Sequence, residues 1–142
     1  MLIRAAAETD AKALNRLIRQ LGYPGLSEST IQKRLKRYQQ DDYAFLVTEI
    51  ENEVVAFIAL HWFDFFHLDG RIGRISAFCV DEGHRSKGIG IQLLEEAERV
   101  FKLKGCSKIE VTSHARRTLT HQFYLNREYL EESKRFSKVI KP

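Results

Sequence analysis

Cysteine is scarce in this chain, with only Cys79 and Cys106 among 142 residues. The two lack metal-ligand spacing, and one pair of thiols cannot build the multi-bridge framework of a small disulfide-held domain. Both are read as reduced and structural. Also missing is any run approaching the roughly 20 uninterrupted apolar residues of a membrane-spanning helix. Met1-Leu2-Ile3-Arg4 leads instead into a polar, helix-like segment. The expectation is a soluble, cytoplasmic protein with no membrane partner. Internal repeats and low-complexity tracts are absent, which excludes solenoids and compositionally disordered chains. The histidines His61, His67, His84, His114 and His121 match no metal signature, so no metal site is expected.

What is present fits one compact domain spanning residues 1–142, since 44% of the chain is hydrophobic and 11% aromatic. A net charge of +4 and a pI near 9.1 point to an anionic partner. Charge alone leaves nucleic acid, a membrane surface and a phosphorylated cofactor open. The aromatic residues are not interleaved with bases as a stacking platform, and no reading-helix motif occurs, so nucleic acid is not expected to be the partner.

Hydrophobic periodicity gives the element order. Leu2 to Ala5 reads as a strand, and Thr9 as the cap of a helix carrying Ala13, Leu14, Leu17, Ile18 and Leu21 on one face. Gly22 ends it. Ser27 caps a second helix with Ile31, Leu35 and Tyr38 on its apolar side and Lys33, Arg34, Lys36 and Arg37 as a solvated face. Tyr43 to Ile50 and Val54 to Phe63 form a hairpin about Glu51-Asn52-Glu53, and Ile72 to Val80 is a further strand. A helix beginning near Gly88 or Ile89 carries Ile91, Leu94, Ala97 and Phe101, and Gly105 ends it. Lys108 to Thr112 reads as a buried strand, Leu119 to Arg127 as a short helix, and Tyr129 to Ile140 as two final strands.

Between the strand ending at Val80 and the helix lies Arg85-Ser86-Lys87-Gly88-Ile89-Gly90. The first turn of a helix leaves backbone amides unpaired and carries partial positive charge, so a phosphate there accepts several hydrogen bonds at once. Gly88 and Gly90 allow close approach, Arg85 and Lys87 add charge, and Ser86 adds a hydroxyl. The segment has neither the Gly-Lys-Ser/Thr of a Walker loop nor the glycine spacing of a dinucleotide fingerprint. Another pyrophosphate is implied.

Strand, Arg85-x-x-Gly88-x-Gly90, helix resembles the coenzyme A pyrophosphate motif of the GNAT N-acetyltransferases, with Val80 at that family's strand-ending valine. The resemblance covers essentially the whole chain. It implies an α+β fold, an α/β/α sandwich around a mixed, mostly antiparallel twisted sheet of six to seven strands with about four helices. It also implies that the backbone of Phe78, Cys79 and Val80 binds the pantetheine arm of acetyl-CoA, and the amides of Ser86, Lys87, Gly88, Ile89 and Gly90 its pyrophosphate, beside Arg85. The sequence departs from the motif at Glu82, where proline is common, and at Ser86, where glycine is common.

The segment His121 to Tyr129 resembles the family's Phe-Tyr-x-x-x-Gly-aromatic motif, with Tyr124 at the tyrosine. That resemblance implies a catalytic role for Tyr124 as acid for the departing thiolate. A phenol of pKa about 10 suits the task. Glu128 replaces the motif's glycine, implying a different turn before Tyr129, and Arg117 stands where many members have asparagine. His61, the Ile72-Gly73 pair, Ser113 to Arg117 and the stretch from Tyr129 to Lys138 are similar to aminoalkylphosphonate and related small-amine acetyltransferases, although Arg74 and Ala77 occupy positions that are acidic there.

The implied reaction is direct attack by an amine on acetyl-CoA as co-substrate, with a small-molecule primary amine as acceptor and a homodimer as a possible assembly. The alternatives are acetylation of a protein or peptide amine, and a non-catalytic coenzyme A binding module. The proton acceptor is left open among His61, Asp64, His67 and Glu82.

Overall fold

A computed structural model describes residues 1–113 and 117–141. It forms two compact units, residues 1–111 and 112–142.

Strand β1 (Leu2–Ala5) leads into a 3-10 turn at Glu8–Asp10 and then helix α1 (Ala11–Gln20). Thr9 does not cap α1: Asp10 stands at the N-cap position with no side-chain bond to the helix, and its carboxylate closes the preceding 3-10 turn instead. Its Oδ2 accepts from the Ala7 N–H at 2.7 Å and from Arg4 Nη1 at 2.8 Å, and its Oδ1 accepts from Arg4 Nη2 at 2.9 Å. The two oxygens of a carboxylate can hold a guanidinium bidentately while one of them also accepts from an amide, which a single hydroxyl oxygen cannot do. Helix α2 (Glu28–Arg37) starts as expected, with Ser27 Oγ accepting from the Thr30 amide at 3.1 Å. Ile31 and Leu35 are buried, while Lys33, Arg34, Lys36 and Arg37 are exposed as a solvated face.

Strands β2 (Tyr43–Ile50), β3 (Glu53–Asp64), β4 (Arg71–Val80) and β5 (Cys106–Val111) complete a five-stranded sheet of order β1-β2-β3-β4-β5. Glu51 and Asn52 both take positive φ, of 50° and 65°, the geometry of the tight turn whose twist matches a hairpin. The first three pairings are antiparallel and β4–β5 is parallel, bridged by helix α3 (Ile89–Leu103) as a β-α-β crossover. One face of the sheet, with Val47, Phe57 and Cys79, packs on Leu14, Leu17, Ile31 and Leu35 of α1 and α2. Side chains alternate along β3, so Trp62 points to the other face, where its ring meets Phe101 of α3 edge-on at 6.3 Å.

The second unit contains helix α4 (Thr118–Asn126). It closes with Tyr129 N–H on the Tyr124 carbonyl at 3.1 Å and Glu128 N–H on the Leu125 carbonyl at 3.2 Å, a Schellman arrangement. Glu128 has φ of 69°, so it takes the left-handed conformation that glycine favours, and no different turn is needed. His114, Ala115 and Arg116, within the Ser113 to Arg117 resemblance, lie outside the described residues.

The α+β class agrees with expectation, and among the described residues there are four α-helices, as expected, and five strands rather than six to seven. Among the described residues, none from Tyr129 to Lys141 is in a strand. The β-forming residues there surround the charged run Glu131-Glu132-Ser133-Lys134-Arg135, and Ser133 breaks the extension at φ of 53°. A β-rich segment becomes a strand only through a ladder partner, which propensity does not specify.

Candidate active site

The β4–β5 ladder runs from Arg71↔Cys106 to Ile75↔Val111, where β5 ends, while β4 continues through Phe78 and Cys79 to Val80. The register against β3 slips between Ala59↔Ala77 and Leu60↔Ile75, leaving Ser76 as an extra residue. Such a bulge bends its strand and adds twist. The end of β4 therefore projects past its parallel neighbour at the stretch assigned to the pantetheine arm.

The chain then turns at Asp81, a buried carboxylate that the sequence reading missed. Asp81 Oδ1 accepts from Arg16 Nη1 at 2.5 Å and Gln20 Nε2 at 2.8 Å, while Oδ2 lies 2.9 Å from His84 Nδ1 and accepts from the Gly83 amide at 3.2 Å. Gln20 Oε1 also accepts from the Glu82 amide at 2.9 Å. Side-chain donors from Gln20, His84 and Arg16 hold the Asp81 carboxyl well below the usual aspartate range. An aspartate two residues before a glycine is a readable local turn signal. Its tie to Arg16 and Gln20, on the polar side of α1, comes from tertiary structure alone.

Beyond this turn lies the segment assigned to the pyrophosphate, Arg85 to Gly90. Helix α3 starts at Ile89 with Gly88 as its N-cap at φ of 79°, and no side chain caps it. Its first backbone bond runs from Gln92 N–H to the Gly88 carbonyl at 3.1 Å. The amides of Ile89, Gly90 and Ile91 therefore have no acceptor within the helix. Ser86 is also left-handed, at φ of 64°, so the loop bends here although glycine is absent. Arg85, Ser86 and Lys87 are exposed, while buried Ile89 anchors the helix end. Arg85 Nε donates to the Val80 carbonyl at 3.1 Å, tying the loop to the strand end. Glu82 is exposed on the preceding turn. Uncapped amides, a glycine whose β-carbon position is open, and two exposed cations fit a diphosphate group.

Further back along β4, the face shared with α1 and α2 carries a second cluster. Phe57, Ala59, His61 and Phe63 alternate onto this face of β3. The His61 ring lies 5.9 Å from Tyr43 and 6.0 Å from Phe63, and His61 is opposite Arg74 in register. Arg74 Nε donates to Glu110 Oε1 on β5 at 2.9 Å. Tyr38, at the end of α2, packs on Tyr43 at 5.0 Å and shares a 3.3 Å hydrogen bond with Ser76. Partial burial, then the charge of Arg74, lowers the His61 pKa below the usual imidazole value, opposed by Glu110.

The other candidates for proton acceptor lie elsewhere. Asp64 pairs with Arg71 at 3.0 Å, at the end of β4 remote from Val80, and His67 packs on Phe65 at 5.3 Å beyond it. A cavity of about 520 Å³ opens at that remote end, lined by Asp64, Arg71 and Lys104 among others. Neither cysteine is in a disulfide; Cys79 is buried and Cys106 half-buried. Burial raises the Cys106 pKa, against a reactive role.

In the second unit Tyr124 is buried on α4, its ring 5.5 Å from both Phe123 and Tyr129. Burial pushes its phenol up to about 12, against the opposing charge of Arg117.

The Acetyltransferase (GNAT) family model matches residues 11–129. Aminoalkylphosphonate N-acetyltransferase of Salmonella typhimurium is 34% identical over 88 residues, which cover 62% of this chain and 57% of that protein, little more than half its length. A GNAT family acetyltransferase from Staphylococcus aureus superposes with a TM-score of 0.80 at 28% identity, with 98% of each chain covered. Glucosamine-6-phosphate N-acetyltransferase from Arabidopsis thaliana has the same fold, with a TM-score of 0.86 at 22% identity over 99% of this chain and 98% of that one. Because the matched span takes in both helices of the first face, the cradle and Tyr124, the chain belongs to the GNAT acetyltransferase family.

Proposed function

We propose that this protein transfers the acetyl group of acetyl-CoA to a primary amine of a small molecule, by direct attack and without a covalent enzyme intermediate. The observation that carries this reading is the uncapped start of α3 at the close of the loop that follows the projecting end of β4, with glycine at the N-cap and Arg85 and Lys87 exposed beside it. The family match runs across both compact units, so residues 1–142 are taken as one acetyltransferase domain.

Acetyl-CoA supplies an acetyl group activated as its thioester. The chain's own residues bind and protonate. In this reading the amides of Ser86 to Gly90 hold the diphosphate with Arg85 and Lys87, and the backbone of Phe78, Cys79 and Val80 aligns the pantetheine arm. Donors fixed before the reaction need no reorganisation as negative charge develops. Tyr124 keeps its proton on Oη through the neutral range, because burial opposes the phenolate, and is the group assigned to give it up as product forms.

The similarity to an aminoalkylphosphonate N-acetyltransferase favours a small acceptor over a protein tail. Arg74, in place of an acidic residue, favours an acceptor that also bears an acid group. A panel of amines, with and without carboxylate, phosphate or phosphonate groups, is to be screened with acetyl-CoA for thiol release. The expected outcome is turnover with small amines. Thiol release only with peptides or protein tails would refute the small-molecule assignment, and none with any amine would refute transfer altogether.

A further inference from the structure

We infer that His61 is the group that takes the proton from the acceptor amine, on an acceptor-binding face formed by Tyr43, His61, Phe63, Arg74 and Glu110. The inference rests on the acetyltransferase reading and adds to it the missing base. An amine is mostly protonated at neutral pH and must lose a proton before its lone pair can form the new C–N bond. The imidazole takes that proton and passes it to water. No other co-reactant is required.

Three features of the geometry converge on this residue. First, the β3 alternation turns His61 to the face of α1 and α2, yet the side chain is only half-buried, so acceptor can reach it. Second, it stands opposite Arg74 on β4, the same strand whose later residues, Phe78 to Val80, are assigned to the pantetheine arm, and the Ser76 bulge lies between. Third, two aromatic rings, Tyr43 and Phe63, flank the imidazole at 5.9 and 6.0 Å. The other candidates fail on place or partner: Asp64 is held by Arg71 at the remote end of the strand, His67 lies past it, and Glu82 is on the exposed turn before the cradle.

The charged and titratable groups around the imidazole are Tyr43 on β2, Tyr38 behind it at the end of α2, Arg74 on β4 and Glu110 on β5. Partial burial and then Arg74 oppose protonation of His61, and together they outweigh Glu110, which favours it. At neutral pH the ring is therefore a neutral base, ready to accept. The same pair offers an acceptor both signs of charge, with Glu110 near an ammonium and Arg74 near an acid group.

The test is the pH dependence of kcat/KM for the best amine of the panel. Wild type should lose activity as pH falls through a single limb below the ordinary imidazole value of 6.5. His61→Gln should lower kcat about a hundredfold, the size of general-base effects, and lose that limb while binding acetyl-CoA as tightly as wild type by calorimetry. Glu110→Gln, at a partly exposed position, should move the limb to lower pH by removing the group that favours the imidazolium. Arg74→Gln should move it higher. A His61→Gln enzyme with wild-type kcat and an intact limb would overturn the inference while leaving the acetyltransferase reading standing. So would a Glu110→Gln limb that stays in place, even if His61→Gln fails to fold. A wild-type protein that acetylates no amine would bring down both.

Discussion

At Gly73 the sheet leaves no room for a side chain. A β-carbon built there would stand 2.7 Å from Cε1 of Phe101, whose ring packs on β4 from α3. Gly73→Ala should therefore destabilise the fold by about 1–3 kcal/mol, the usual range for overpacking, read as a lower urea midpoint with unchanged slope. Ser86 and Glu128 present the converse case. Each occupies a left-handed conformation, at φ of 64° and 69°, that costs an L-residue more than glycine. Ser86→Gly and Glu128→Gly are each expected to be neutral or stabilising, by up to about 1 kcal/mol. Tyr124 makes a chemical prediction at the same scale. Tyr124→Phe should reduce turnover by about tenfold to a hundredfold with acetyl-CoA binding retained. Because burial holds the phenol near 12, wild type should show no loss of activity from Tyr124 ionisation at mildly alkaline pH. Equal turnover of the two proteins would remove the acid role from this residue.

Among the elements, the start of α3 depends on a turn that α1 holds in place. Arg16 and Gln20, one helical turn apart, both donate to Asp81, and Gln20 also accepts from the Glu82 amide. Asp81→Asn removes the charge while keeping the shape, and should cost about 2 kcal/mol, in the range for hydrogen bonds to charged groups. The sign with pH follows from the lowered pKa. The folded protein binds the Asp81 proton less readily than the unfolded chain, so this stabilisation is complete above the ordinary aspartate value of 3.8 and is lost as pH falls below it. Urea unfolding of both proteins should give a stability gap that narrows as pH falls below 4. A gap independent of pH would mean that the carboxylate charge is not what matters. The two parts of this region differ in legibility for a physical reason. The cradle depends on local features, a strand end, a glycine at the N-cap and a helix start, and all three lie within a few residues of each other. Asp81 reads locally only as a turn, since its donors Arg16 and Gln20 lie some sixty residues earlier, at separations of 65 and 61. The same distinction separates the Glu51-Asn52 hairpin, fixed by its own turn residues, from Tyr129 to Ile140, where strand formation requires a partner that composition does not name.

For the molecule as a whole, the proposed binding mode has a thermodynamic signature that needs no acceptor. A ligand that binds only the folded state stabilises it by RT ln(1 + [L]/Kd), about 2.7 kcal/mol at a hundredfold excess over Kd. In a chain of 142 residues that raises Tm by roughly 8 °C. If the grip is that of amides and cations on a diphosphate, coenzyme A and acetyl-CoA should give nearly the same shift, because the acetyl group is at the far end of the arm. Dephosphorylated pantetheine should give much less. Gly88→Ala should reduce the shift through its β-carbon, which meets no protein atom within 4 Å and would occupy the space offered to the ligand. Its backbone, at φ of 79°, would add a stability cost of about 1 kcal/mol visible without ligand, so the ligand-dependent part must be taken as a difference. Raising salt should weaken the contribution of exposed Arg85 and Lys87, screened over about 10 Å at 0.1 M, more than that of the backbone amides. An Arg85→Gln, Lys87→Gln double variant should accordingly bind coenzyme A with a shallower salt dependence than wild type. Equal shifts from pantetheine and coenzyme A would show that the diphosphate is not what this helix start recognises.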